Sequence, residues 1–124
     1  MNPELRPRRL FIPLKGDAFR WFESGQKKFE LRRIGRQFTP ELVRSGRRVE
    51  LRYGYSARAR WGYVGEVYVG EDLHELLTRV GFERVVPPAL TIREAVSIAA
   101  SFVGTTGPYI LFEIHLTTSS PPDT

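Results

Sequence analysis

Lys27, Glu30 and Arg32 bring an ammonium, a carboxylate and a guanidinium into one short stretch, Gly25-Gln26-Lys27-Lys28-Phe29-Glu30-Leu31-Arg32. Lys27 is a candidate to neutralise a phosphate or, once desolvated, to act as a base with a lowered pKa. Glu30 is suited to accept hydrogen bonds from a cytosine or guanine edge, or to serve as a general base for water. Arg32 is suited to clamp a phosphate or to hold Glu30 through a bidentate pair. Against these stands a purely structural reading. Residues two apart on a strand share a face, so Glu30 and Arg32 can simply pair with each other.

The elements around this stretch must position it. Phe29 and Leu31 alternate with Lys28, Glu30 and Arg32, which predicts a strand over 27–34 with one charged face. Strict alternation puts Lys27 on the Phe29 face, so it reaches the same cleft only from the strand's start or beside a bulge. Upstream, 10–15 reads as a strand, with Pro13 admissible at an edge or bulge. Residues 17–24 read as a helix burying Ala18, Phe19 and Phe22, with Asp17 as N-cap and Gly25 just past the end. Downstream come a helical turn at 39–41 with Pro40 in its first position, and strands at 48–53 and 60–69, the second eased by Gly62 and Gly65. A helix at 71–79 turns Leu73, Leu76 and Leu77 inward, and Pro87-Pro88 makes 82–90 a loop. Thr91 and Glu94 form a capping box for a helix at 91–102, whose apolar stripe is Ile92, Ala95, Val96, Ala99 and Phe102. A final strand runs over 109–116. The loop after 48–53 is too short for a helical crossover, so the strands it joins should pair antiparallel. About five strands with inserted helices predict a small mixed α+β barrel, mostly antiparallel.

At 124 residues the chain fits one domain. It has no cysteine, which excludes disulfides, thiolate nucleophiles and cysteine zinc clusters. With His74 and His115 as the only imidazoles, neither a transition-metal site nor any other cofactor is expected. No apolar run is long enough to span a bilayer, and residues 1–9 are polar without a signal-peptide core, so a cytoplasmic location with no membrane partner is expected. Charge is uneven: residues 1–60 hold 16 basic and 6 acidic side chains, whereas 61–124 hold 3 and 8. An arginine-rich half suggests an anion-seeking face, with RNA or a nucleotide as partner; a plain compositional preference for arginine is the alternative.

Further candidates flank the loop after 48–53. Arg52, Tyr55, Ser56, Arg58 and Arg60 interleave basic and aromatic groups in the manner of a stacking and phosphate-tracking surface. Tyr55, on the loop, is the candidate stacking residue. The alternative is that Tyr53 and Trp61 are core and the arginines merely solvated. Tyr109 opens the last strand and is a candidate to cap a cleft through its hydroxyl.

The spelling Gly25-x-Lys27-x-x-Glu30-x-Arg32 resembles the signature of the ASCH (activating signal cointegrator homology) domains, relatives of the PUA RNA-binding fold. Element order extends the likeness over residues 8–117, leaving 1–7 and 118–124 as expected flexible ends. The resemblance implies a PUA-like β-barrel of about five strands with surrounding helices and a cleft lined by Lys27, Glu30 and Arg32. It implies RNA binding; Lys28 and the arginine-rich face are the candidates for contacting phosphates. Some bacterial members of the family are nucleases, and a small branch removes the acetyl group from N4-acetylcytidine. In that branch a threonine stands where Glu30 stands here, a departure that weighs against the same activity. Three functions are therefore expected in order: a non-catalytic RNA-binding module, an amidohydrolase using Lys27 and Glu30, and a ribonuclease. Binding leads because nothing outside the signature looks like dedicated catalytic machinery.

Overall fold

Leu10, Ile12 and Leu14 are buried while Phe11 and Pro13 are half-buried, the period-two pattern of strand β1 (Leu10–Leu14). A computed structural model describes residues 9–117. The expected flexible ends at 1–7 and 118–124 lie outside the described residues. After β1 come α1 (Gly16–Ser24), β2 (Phe29–Arg33), β3 (Arg48–Tyr53), β4 (Ala59–Gly70), α2 (Leu73–Val80), a 3-10 turn (Phe82–Arg84), α3 (Ile92–Val103) and β5 (Tyr109–Leu116). The strands form one mixed sheet in the order β1-β3-β4-β5-β2, with β1 parallel to β3 and every other pair antiparallel. It is a half-barrel, an α+β arrangement of the PUA-like kind. Among the described residues no helix is long and apolar enough to cross a membrane.

The sheet buries both of its faces. Inside the curl, Leu10, Ile12, Val49, Leu51, Phe112 and Ile114 pack with Phe19 and Phe22 of α1. On the outer face, Phe29, Leu31 and Leu111 pack with Leu76 and Leu77 of α2 and Ala95 and Ala99 of α3. Strand β5 serves both cores, which explains its unbroken apolar run Tyr109-Ile110-Leu111-Phe112. Because Phe29 and Leu31 face outward, Glu30 and Arg32 must face the inside of the curl, toward β1.

The two end strands, β1 and β2, do not pair by backbone. Arg32 Nη2 donates to the Pro13 carbonyl at 3.0 Å, and Gln37 Nε2 donates to the Phe11 carbonyl at 2.8 Å. Side chains therefore satisfy the open edge of β1, and Pro13 contributes no N–H that would need a partner there. Within β4 the pairing with β5 shifts between Val64 and Val67, around Gly65. A methyl group at Gly62 would run into the His115 carbonyl, so the close β4–β5 approach there requires glycine.

Three local expectations are corrected. Helix α1 begins at Gly16, with Lys15 in the cap position and no side-chain cap. Asp17 thus lies in the first turn, where its carboxylate suits the helix dipole, and it pairs with Arg20 at 3.1 Å. The 82–90 segment opens with a 3-10 turn rather than being loop throughout. Phe102, expected inward on α3, is 63% exposed: it keeps the spacing of Ala95 and Ala99, but in the last turn that face of α3 opens onto a cleft shared with α1. The Thr91 cap holds, its hydroxyl accepting from the Glu94 amide at 3.1 Å, while Glu94 Oε1 accepts from the Leu90 amide.

Candidate functional site

Gly25 sets the geometry of the charged stretch. It takes a left-handed conformation (φ 83°) and donates its amide to the Phe22 carbonyl, ending α1. The chain then folds back, with the Lys27 amide on the Trp21 carbonyl at 3.0 Å and the Lys28 amide on the Arg84 carbonyl at 2.7 Å. Lys27 therefore precedes β2 and escapes strand alternation. Its ammonium lies over the Phe22 ring, 3.5 Å from Glu30 Oε1, and donates to the Val85 carbonyl at 2.6 Å. Arg32 Nε donates to Glu30 Oε2 at 2.7 Å, and its guanidinium lies over the Phe38 ring at 4.6 Å.

Lys27 and Glu30 are only 7% and 6% exposed. Burial holds the Lys27 pKa below the ordinary lysine value, opposed by the attraction of Glu30 and assisted by the positive charge of Arg32. An ammonium has three donors and a carboxylate about four acceptor positions. Val85 and Glu30 engage two of the Lys27 donors, and Arg32 and Lys27 engage one side of each Glu30 oxygen. The pair keeps hydrogen-bonding capacity for a ligand.

These groups form the floor of a cleft of about 450 Å³ between α1 and α3, a size within the roughly 300–1,000 Å³ typical of ligand sites. Trp21 and Ala18 wall it from α1, and Ile98, Phe102 and Val103 from α3; Lys15 and Asp17 lie at its mouth. Buried charges beneath apolar and aromatic walls suit a flat ligand with a polar edge.

No family model matches the chain, and no curated protein matches it. Solved structures do. A hypothetical protein, PH0355, superposes with TM-score 0.74 at 19% identity over 89% of this chain and all of that one. The protein PF0455 of Pyrococcus furiosus gives 0.67 at 18%, over 90% of this chain and all of its own. A mutant form of an ASCH protein from Zymomonas mobilis gives 0.55 at 15%, over 88% of this chain and 68% of that one. The chain shares the fold of these proteins, an ASCH protein among them. Identities of 15–19% make this a likeness of architecture.

Within this fold the remaining sequence candidates lie away from the cleft lining. Lys28 is exposed. Arg52 binds the Glu50 carboxylate and the Ser56 carbonyl and lies over Phe11. The Ser56 hydroxyl donates to the Tyr53 carbonyl at 2.6 Å, shaping the turn. Tyr55 is 85% exposed beside Phe11. Arg58 and Arg60 both bind Glu23, each at 2.7 Å. Tyr109 is fully buried, and its hydroxyl donates to the Gly104 carbonyl at 2.8 Å, so it braces the α3–β5 connection rather than capping the cleft. The excess of arginine is thus partly used up in pairs, since Glu23, Glu30 and Glu50 each hold two basic side chains. Among the described residues no cluster of three potential metal ligands occurs.

Sequence reasoning missed Trp21, Phe102, Lys15 and the Val85 carbonyl. Trp21 had a signal: it lies three residues from Ala18 and off the Phe19–Phe22 stripe, an aromatic on the flank of an amphipathic helix. Phe102 had none, since its spacing matches the core stripe.

Proposed function

We propose that the protein binds RNA by taking one unstacked nucleotide into the α1–α3 cleft, without altering it. The observation that carries this reading is the floor of buried Lys27 and Glu30 with half-buried Arg32, 3.5 and 2.7 Å between partners, beneath Trp21 and Phe102. A nucleobase has apolar faces and a hydrogen-bonding edge, and proteins read single-stranded RNA by stacking the faces and bonding the edge. Glu30 offers an acceptor and Lys27 a donor to that edge. Arg32 positions Glu30. Flanking phosphates meet Lys28 and the outer sides of Arg52, Arg58 and Arg60, with Tyr55 and Ser56 beside them. Fluorescence anisotropy with short single-stranded RNA tests this: binding should weaken steeply as salt rises. Salt-insensitive binding, or none, contradicts it.

The lowered pKa of Lys27 supports a second reading, an amidohydrolase acting on N4-acetylcytidine-like nucleosides. A neutral fraction of Lys27 would act as base or nucleophile while Glu30 moves the proton; net, water adds to the acyl carbon and releases acetate and the free amine. Incubation with N4-acetylcytidine decides it, and no Lys27-dependent release of acetate removes it. RNA kept intact in the same mixtures, with and without divalent metal, removes ribonuclease activity.

A further inference from the structure

Among the described residues, one cation of the cleft has no carboxylate partner. Lys27 and Arg32 share Glu30, and Asp17 at the mouth is held by Arg20. Lys15 also lines the cleft, and among the described residues no carboxylate lies within ion-pair distance of it. Its ammonium rests instead over the Phe102 ring, 4.7 Å from the centroid. Lys15 is the residue joining β1 to α1, so its backbone is fixed at one rim of the cleft, whereas Phe102 stands on the other. The contact spans the mouth. A cation–π contact between exposed groups is weak, and an ammonium over a ring keeps its donors available to a stronger acceptor.

Charge is thereby divided by depth. The floor holds two cations around one carboxylate, with Lys27 and Glu30 buried and Arg32 half-buried, suited to a polar base edge. The mouth holds a solvated positive charge with which, among the described residues, no carboxylate pairs, Asp17 being held by Arg20. A nucleotide entering base-first carries its phosphate one sugar away from the base, toward the mouth.

We propose that Lys15 is the phosphate-binding residue of this cleft, so that the site selects phosphorylated nucleotides over nucleosides. The phosphate can belong to a free nucleotide or to a phosphodiester within a strand. On binding, a phosphate oxygen accepts from Lys15 Nζ in place of the Phe102 ring, leaving that ring to pack on the sugar or base. The inference rests on the reading that the cleft takes a nucleotide.

Calorimetric titration of the full chain with the four common nucleosides, their 5′-monophosphates and a short single-stranded oligoribonucleotide tests both levels separately. For the base that binds, the monophosphate should bind roughly three- to tenfold more tightly than the nucleoside, as one partly solvated charge-assisted contact allows. Lys15→Ala should bring that ratio to about one and Lys15→Arg should keep it, whereas Phe102→Ala should weaken nucleoside and monophosphate together. The oligonucleotide binding more tightly than every monophosphate would assign the phosphate to a strand; the reverse would assign it to a free nucleotide. Nucleoside and monophosphate binding equally to the natural protein, or a phosphate preference that survives Lys15→Ala, overturns the role of Lys15 while leaving the nucleotide reading in place. Binding of none of these ligands overturns both.

Discussion

The Lys27 ammonium and the Glu30 carboxylate stand 3.5 Å apart, both more than nine-tenths buried. Two buried charges are tolerated only with further partners. Lys27 has the Val85 carbonyl, and Glu30 has Arg32, which continues to the Pro13 carbonyl. One chain of contacts therefore runs from the α2–α3 connection through β2 to β1. It forms the floor of the cleft and bridges the two end strands of the sheet. Site and barrel closure are the same network.

Glu30→Gln removes the countercharge of that network and leaves two cations facing a neutral amide. It should lower unfolding free energy by about 3 kcal/mol, the scale for breaking a buried pair by removing one partner. Urea unfolding measures it. A midpoint equal to that of the natural protein would show that the network contributes nothing to stability.

Stability should also depend on pH through Lys27. Burial places its folded pKa below the ordinary value of 10.5 that the amine regains on unfolding. Between those two values the unfolded state holds more protons, so stability rises with pH through the window and levels off above the unfolded value. Lys27→Met should flatten this alkaline rise. Parallel curves for the two proteins from about pH 7 to about pH 11 would show an ordinary lysine pKa instead.

Arg32→Lys keeps the charge but loses the fork that reaches Glu30 and the Pro13 carbonyl together. One of the two hydrogen bonds is lost, costing about 1–2 kcal/mol. Hydrogen exchange should quicken in β1 and β2 before the rest of the sheet. Unchanged protection in both strands would mean that the two end strands are held in place without Arg32.

Much of this was readable from the residues. Alternation placed Phe29 and Leu31 opposite Glu30 and Arg32, and the short 54–58 connection required β3 and β4 to pair antiparallel. Pro13 marked an edge strand. What could not be read depends on contacts distant in sequence. Val85 holds Lys27 from 58 positions away, and nothing in the spelling of either segment announces it. The arginines at 58 and 60 looked like a free basic surface because their partner, Glu23, is brought to them by α1, whereas Arg52 pairs with Glu50 two positions away on the same strand. Phe102 carried the spacing of a core residue and lies at the rim instead.

Trp21→Ala and Phe102→Ala should each weaken RNA binding by about 1–3 kcal/mol, the worth of one base–aromatic stack. Phe102 is mostly exposed, so its substitution should leave the unfolding midpoint nearly unchanged. Full RNA affinity in both variants would place the ligand outside the α1–α3 walls.

The most direct test follows single-stranded RNA into the protein by NMR. Titration of isotope-labelled protein with a short oligonucleotide should shift the Trp21 indole and the amides of Lys27, Glu30, Val85 and Val86, and Glu30→Gln should abolish those shifts while the protein remains folded. Shifts confined to the Arg58–Arg60 surface, or a Glu30→Gln variant that responds like the natural protein, would contradict nucleotide binding in the cleft.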